Sequence, residues 1–166
     1  MIDGNRLIEL LGYSSAFPEL DRRLTEMNLL KRPKGSDLVQ YVLFNPMGLV
    51  LIFSASVTYK EKIGEPANDG RWIFSGVHFY NENQNGKNEK FPGVLPYGLD
   101  FELNRSDLVA KLGPLKLNRE RDGFATCSFP QASEIVVISS TGIEQREARW
   151  FKVEKIEESH RERGAA

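Results

Sequence analysis

The chain has few of the residues that carry catalysis or metal binding. Among 166 residues it has one cysteine, Cys127, and two histidines, His78 and His160. A single cysteine excludes an internal disulfide framework, and the three residues lie too far apart in the sequence to form a zinc-binding motif. No nucleophile motif and no glycine-rich phosphate loop occurs. We therefore predict no catalytic activity, no bound metal and no cofactor.

Excess charge and long apolar runs are also lacking. The formal net charge is −1, which gives no support to a nucleic-acid partner, because binding to the phosphate backbone needs a positive surface. The longest apolar stretch, residues 48–55, has the length of a strand, whereas a membrane span needs about 18 residues. The N-terminus shows no signal-peptide pattern. We expect a cytoplasmic protein that binds neither nucleic acid nor membranes.

The sequence does contain patterns typical of helices and strands, in alternating order. In the first half, a helix capped by Asp3 or Asn5 ends at Gly12, and a second helix begins at Pro18. In the second half, a helix capped by Asn104 or Ser106 ends at Gly113; we predict Leu108, Val109 and Leu112 on its apolar face. The predicted strands span residues 38–44, 48–59, 71–81, 123–129, 133–140 and 147–153.

These elements predict an α+β fold made of two diverged units. Each unit places a helical element that ends in Leu-Gly before an antiparallel meander. We expect a first unit over residues 1–83, a linker over 84–98, a second unit over 99–158 and a charged tail over 159–166. The alternative is one α+β domain whose two Leu-Gly endings coincide by chance.

The third predicted strand, residues 71–81, is rich in aromatic residues. Gly76 indicates a bulge or a point of close packing. Strict alternation divides the other side chains into two faces, one with Trp72, Phe74, His78 and Tyr80 and one with Ile73, Val77 and Phe79. Helices cover one face of such a sheet, so the other face meets water, packs against the second unit or binds a partner.

Residues 95–114, "LPYGLDFELNRSDLVAKLGP", resemble a signature of bacterial immunity proteins, which are encoded beside secreted antibacterial or pyocin-type toxins. The matching residues are Leu95, Pro96, Gly98, Leu99, Phe101, Ser106, Val109, Leu112, Gly113 and Pro114. The helix-and-meander unit is also similar to the repeats of beta-lactamase inhibitor proteins. The resemblance implies a non-catalytic protein that binds a cognate protein toxin in the cytoplasm and occludes or locks its active site.

Five residues are the candidate contacts with such a toxin. His78, Tyr80 and Glu82 share a predicted strand face that leads into a polar loop, and Asp100 and Glu102 alternate with apolar neighbours. Acidic pairs complement the basic substrate cleft of a nuclease. Two other functions stay open: a non-catalytic scaffold or assembly module, and a small hydrolase with an unrecognised site.

Overall fold

The computed structural model describes residues 1–81, 89–121, 124–131, 135–142 and 148–156. In this part of the chain it has four α-helices and one seven-stranded sheet, which confirms the predicted α+β class. The helices are α1 (Gly4–Ile8), α2 (Pro18–Glu26), α3 (Ser56–Lys62) and α4 (Arg105–Leu112). The strands are β1 (Val39–Phe44), β2 (Leu49–Ala55), β3 (Trp72–Tyr80), β4 (Leu117–Arg121), β5 (Phe124–Gln131), β6 (Ile135–Gly142) and β7 (Ala148–Lys155).

The sheet joins two antiparallel meanders edge to edge. Its strand order is β1-β2-β3-β7-β6-β5-β4, and every neighbouring pair is antiparallel. The β3–β7 pairing makes one sheet from the strands of both predicted units. Helices precede strands in both halves, but α3 interrupts the first meander and the second meander has four strands instead of the predicted three. The origin of the halves from one duplicated unit stays a prediction.

Two elements differ from the sequence prediction. The strand predicted over residues 48–59 ends at Ala55, and α3 follows at once and buries Thr58 and Tyr59. Strand β4 was not predicted, because its sequence, LNRER, is mostly polar and charged. That composition is common in an edge strand, where charge discourages pairing with other chains.

One face of the sheet holds the hydrophobic core. The helices contribute apolar side chains to it, among them Leu7, Leu24 and Leu108, which are fully buried. The predicted apolar face of α4 is partly wrong, since Leu108 and Leu112 are buried but Val109 is 37% exposed. The largest fully buried side chains come from the strands and are Phe53, Phe74, Phe79, Phe129 and Phe151.

A β-bulge reverses the side-chain alternation within β3. Ile52 lies opposite Gly76 and Phe53 opposite Phe74, so Ser75 is an extra residue in β3. Its hydroxyl donates to the Ile52 carbonyl oxygen at 3.3 Å.

Because of the bulge, the predicted division of β3 into faces is wrong for its first half. Trp72 and Phe74 belong to the core cluster with Val77 and Phe79, whereas Ile73 is fully buried outside that cluster. The bulge predicted at Gly76 is confirmed, and the packing there is close: a Cβ at Gly76 would lie 3.2 Å from the Cβ of Glu154.

The segment that carries the LPYGLDF motif packs against the N-terminus. The backbone N–H of Gly4 donates to the Val94 oxygen at 2.7 Å, and that of Val94 donates to the Ile2 oxygen at 2.9 Å. The Asn5 side chain accepts a hydrogen bond from the Tyr97 N–H at 3.1 Å. The motif therefore has a structural role in the fold, and within residues 91–98 of the predicted linker Phe91, Leu95 and Pro96 are buried.

The second-half helix begins where the sequence predicts. The Asn104 side chain accepts from the Asp107 N–H at 3.0 Å, and the Asp107 carboxylate accepts from the Asn104 N–H at 3.1 Å. This reciprocal pair is a capping box, which satisfies backbone donors that the first helical turn leaves free. Gly113 follows the helix with φ +91°, a conformation that favours glycine.

Candidate protein-binding face

Strand alternation gives the sheet a second face, which we call the outer face. Its side chains lie outside the core cluster. One row of direct cross-strand neighbours runs over five strands and consists of Leu43, Val50, His78, Lys152 and Ile138. Exposure changes along this row: Val50 is 4% exposed and Leu43 is 45% exposed. The row is therefore exposed at its β1 end, buried at Val50 and half-buried from His78 to Ile138.

Three rings form a compact group on this face, which we call the aromatic cluster: His78, Tyr80 and Trp150. The rings of His78 and Tyr80 are stacked with centroids 4.3 Å apart, and the Trp150 ring meets His78 edge-on at 4.7 Å. Tyr80 and Trp150 are also direct cross-strand neighbours on β3 and β7. Each ring restricts the others, so the cluster presents a preorganised surface with little side-chain entropy left to lose on binding.

A charged pair borders the aromatic cluster. The Nζ atom of Lys152 lies 2.9 Å from Oε2 of Glu154, and both side chains are a little over a quarter exposed. Lys152 is the cross-strand neighbour of His78. Aromatic anchors with partly exposed charges beside them are typical of protein interfaces, in which the rings supply affinity and the charges supply specificity.

His78 is held in its neutral form. Its pKa is lowered from 6.5 to about 3, first because burial disfavours the charged imidazolium and second because the Lys152 ammonium repels it. The Tyr80 hydroxyl and Nδ1 of His78 share a hydrogen bond at 3.3 Å, in which the hydroxyl can accept or donate. Among the described residues, Nε2 of His78 is buried without a hydrogen-bond partner. The imidazole is therefore part of an apolar surface rather than a base at neutral pH.

We expect acidification to destabilise the fold through His78. The unfolded chain binds a proton at His78 below pH 6.5, whereas the folded chain stays neutral down to about pH 3, so stability falls as the pH falls through this interval. The loss reaches about 2 kcal/mol at pH 5. Chemical unfolding at about pH 7.5 and pH 5 measures it.

Two variants separate His78 from other acid effects. His78→Gln should remove most of the difference between the two pH values, and His160→Gln, which removes the only other histidine, should keep it. An undiminished difference in His78→Gln would assign the acid sensitivity to other groups.

The structure does not bring the five predicted contact residues together. Asp100 and Glu102 are exposed and alternate with the buried Leu99 and Phe101, as predicted. However, the Phe101 ring stacks on Phe151 in the core at 5.5 Å, and in the described part of the chain neither carboxylate contacts the aromatic cluster.

The carboxylates therefore stay candidates for a separate contact. Glu82 lies outside the described residues. Of the predicted set, His78 and Tyr80 are the two that share one surface.

Sequence reasoning missed the residues that complete this surface. Trp150 and Lys152 lie about 70 positions from β3 in the sequence, and only the β3–β7 pairing brings them beside Tyr80 and His78. In β1, Val42 and Phe44 are buried while Tyr41 and Leu43 are exposed. Only the apolar character of this strand was visible in the sequence, because residues 41–44 show no alternation. The position of β1 at the sheet edge was not.

Other parts of the described structure hold few groups suited to catalysis or metal binding. Burial raises the pKa of the Cys127 thiol, which disfavours the nucleophilic thiolate. A cleft of about 1020 Å³ beside α1 and α2 is lined by all three methionines together with arginine and acidic side chains. Within the described residues, no three histidine, cysteine or acidic side chains are placed to hold a metal ion.

Comparisons with protein-family models, curated proteins and solved structures find no match to this chain. The described helices are also too short or too polar to cross a membrane. The functional argument therefore depends on the chain's own residues, and the aromatic cluster is the feature of the outer face that best fits a partner.

Proposed function

We propose that this chain is an immunity protein that binds a cognate antibacterial toxin and blocks it without turnover. The observation that carries the proposal is the aromatic cluster, which lies on the sheet face opposite the core with the Lys152–Glu154 pair beside it. Tyrosine and tryptophan are enriched among the residues that dominate binding energy at protein interfaces. The resemblance of residues 95–114 to immunity proteins supplies the class of partner.

The proposed mechanism is steric. A toxin loop or active-site rim would pack on Tyr80 and Trp150 and exclude water from around Lys152 and Glu154. Charge at the edge of the contact raises the association rate, and desolvated rings lower the dissociation rate. We place this binding in the cytoplasm, where the toxin would act. We also propose that the fold arose by duplication of one helix-and-meander unit. The two copies would then pair through β3 and β7 at the centre of the sheet.

We expect Trp150→Ala to weaken toxin binding by ten- to a hundredfold. The change removes the ring that packs edge-on against His78 and corresponds to about 1.4–2.8 kcal/mol of binding free energy. The measurement uses the purified product of the adjacent toxin gene, with affinity determined by calorimetry and protection determined by co-expression. Val109→Ala, which truncates an exposed apolar residue on α4, is the matched control and should bind like the wild type.

Further variants locate the contact more closely. Tyr80→Ala and Asp100→Lys are tested separately, because Tyr80 belongs to the aromatic cluster whereas Asp100 makes no contact with it in the described structure. If both Tyr80→Ala and Trp150→Ala stay folded and bind within about threefold of wild type, the toxin contacts another surface. If the wild type binds no toxin but anchors other proteins of the same operon, the scaffold function is favoured.

A further inference from the structure

The two edges of the sheet differ in charge. Strand β4 forms one edge, and three of its five residues are charged: Arg119, Glu120 and Arg121. Strand β1, Val39–Phe44, forms the other edge and has no charged residue. Charged edges discourage pairing with other chains, and an uncharged edge permits it.

The backbone groups of three β1 residues on the side away from β2 bond to no other backbone group of the described chain. The Ala55 N–H donates to the Leu38 oxygen at 2.7 Å, which makes Leu38 and Ala55 a hydrogen-bonded pair. Hydrogen-bonded pairs recur at every second residue of an antiparallel ladder, so Val39, Tyr41 and Leu43 direct their N–H and C=O groups away from β2. Lys31 confirms this direction, because its Nζ donates to the Leu43 oxygen at 3.0 Å from outside the ladder. Among the described residues, no backbone group from another segment bonds to these three.

The side chains at this edge are exposed and apolar. Tyr41 is 63% exposed and Leu43 is 45% exposed. Leu30 and Leu38, in the segment before β1, are also exposed. Four of the chain's large exposed hydrophobic residues therefore flank one unpaired strand edge.

We propose that the β1 edge pairs with the β1 edge of a second copy of this chain, antiparallel and about a two-fold axis through Tyr41. Residues whose backbone groups point away from β2 can pair only with residues of the second copy that do the same. A two-fold axis at Tyr41 lets Val39, Tyr41 and Leu43 all pair in this way. Tyr41 then faces Tyr41 of the second copy, and Val39 faces Leu43 of the second copy. The two sheets join into one sheet of fourteen described strands, and the two outer faces become continuous.

Charge complementarity favours this register. Asp37 lies two residues before Val39, which faces Leu43 of the second copy, so it lies on the side of the Leu43 oxygen that Lys31 contacts. Lys31 and Asp37 carry opposite charges, and in the described part of the chain neither has an ion pair within its own copy. The two-fold axis therefore brings Asp37 of each copy towards Lys31 of the other, twice in one interface. An unrelated extended peptide would offer this match only by coincidence.

Cysteine cross-linking tests the register directly. In Tyr41→Cys the two new thiols face each other in a hydrogen-bonded pair with Cα atoms about 5.5 Å apart, which suits a disulfide. In Leu43→Cys each new thiol faces Val39 of the second copy, so the two thiols are separated by four residues along the ladder, about 13 Å. Native Cys127 is buried and should stay unreacted. Under mild oxidation we expect Tyr41→Cys to give a covalent dimer at least tenfold faster than Leu43→Cys; equal rates would overturn the register.

Sedimentation of the full chain tests the association itself. We expect the wild type to be dimeric at about 100 µM and Tyr41→Pro to be monomeric, because proline removes an outward N–H that β2 does not use and edge strands tolerate it. Tyr41→Lys, which places two like charges on the axis, is the second variant in case proline disturbs folding. Lys31→Asp and Asp37→Lys should each raise the dimer dissociation constant at least tenfold, and their combination should restore it. A monomeric wild type, or a dimer unaffected by both Tyr41 variants, would overturn the proposal whether or not the chain binds a toxin.

Discussion

Truncation of Phe151 to alanine is expected to lower the free energy of unfolding by about 3–5 kcal/mol. Phe151 is fully buried in β7, lies opposite Phe79 across the central strand pairing, and stacks on Phe101 at 5.5 Å. One ring therefore connects both meanders and the segment after the LPYGL motif. Since domains of this size are stable by only about 5–15 kcal/mol, the variant should melt far below the wild type.

The neighbouring residue supplies the control for this measurement. Trp150 has a larger ring but lies on the outer face and is only partly buried, so Trp150→Ala should lose clearly less stability in the same denaturant titration. A loss at Phe151 no greater than that at Trp150 would mean that the core is not concentrated at the β3–β7 pairing.

Gly48→Ala should be the second strongly destabilising change, at about 2–5 kcal/mol. Gly48 has φ +57°, and a Cβ at this position would lie 2.0 Å from the Glu89 oxygen and 2.7 Å from the Phe91 nitrogen. Left-handed backbone costs a residue with a side chain about 1–2 kcal/mol, and overpacking costs about 1–3 kcal/mol more. Backbone atoms cannot rotate away, so the loop after residue 88 would have to move.

Gly113→Ala separates the cost of left-handed backbone from the cost of overpacking. Gly113 also has positive φ, at +91°, but nothing lies within 4 Å of its Cβ position, so only the conformational cost applies. Thermal or chemical unfolding of both variants should give the larger loss at Gly48. Equal losses would show that the contact with residues 89–91 does not constrain the fold.

The sequence predicted the elements that depend on residues close together in the chain. Pro18 starts α2, and the Asn104–Asp107 capping box starts α4; both depend on residues within one turn of each other. The same holds for the bulge at Gly76. What the bulge does to Trp72 and Phe74 was not predicted, because one extra residue, Ser75, reverses every side chain before it.

Non-local features could not be predicted from the pattern. The charge of β4 argued against a strand, and only its place at the sheet edge explains why charge is tolerated there. The candidate site could be predicted only in part for the same reason. His78 and Tyr80 lie on one strand, whereas Trp150 joins them through a pairing of residues about 70 positions apart. Asp100 and Glu102 have the predicted exposure but lie apart from the aromatic cluster.

The strand order has a consequence for how the chain folds during synthesis. Strands β1 to β3 and β4 to β7 each form by pairing of sequential neighbours, whereas the β3–β7 ladder joins residues 76–80 to residues 150–154. Pairings of such long sequence separation are slow to form. While the ribosome adds the second meander, β3 is an unpaired apolar edge, and nascent chains in this state are vulnerable to aggregation. Among the described strands, the last to be synthesised is therefore the one that closes the centre of the sheet.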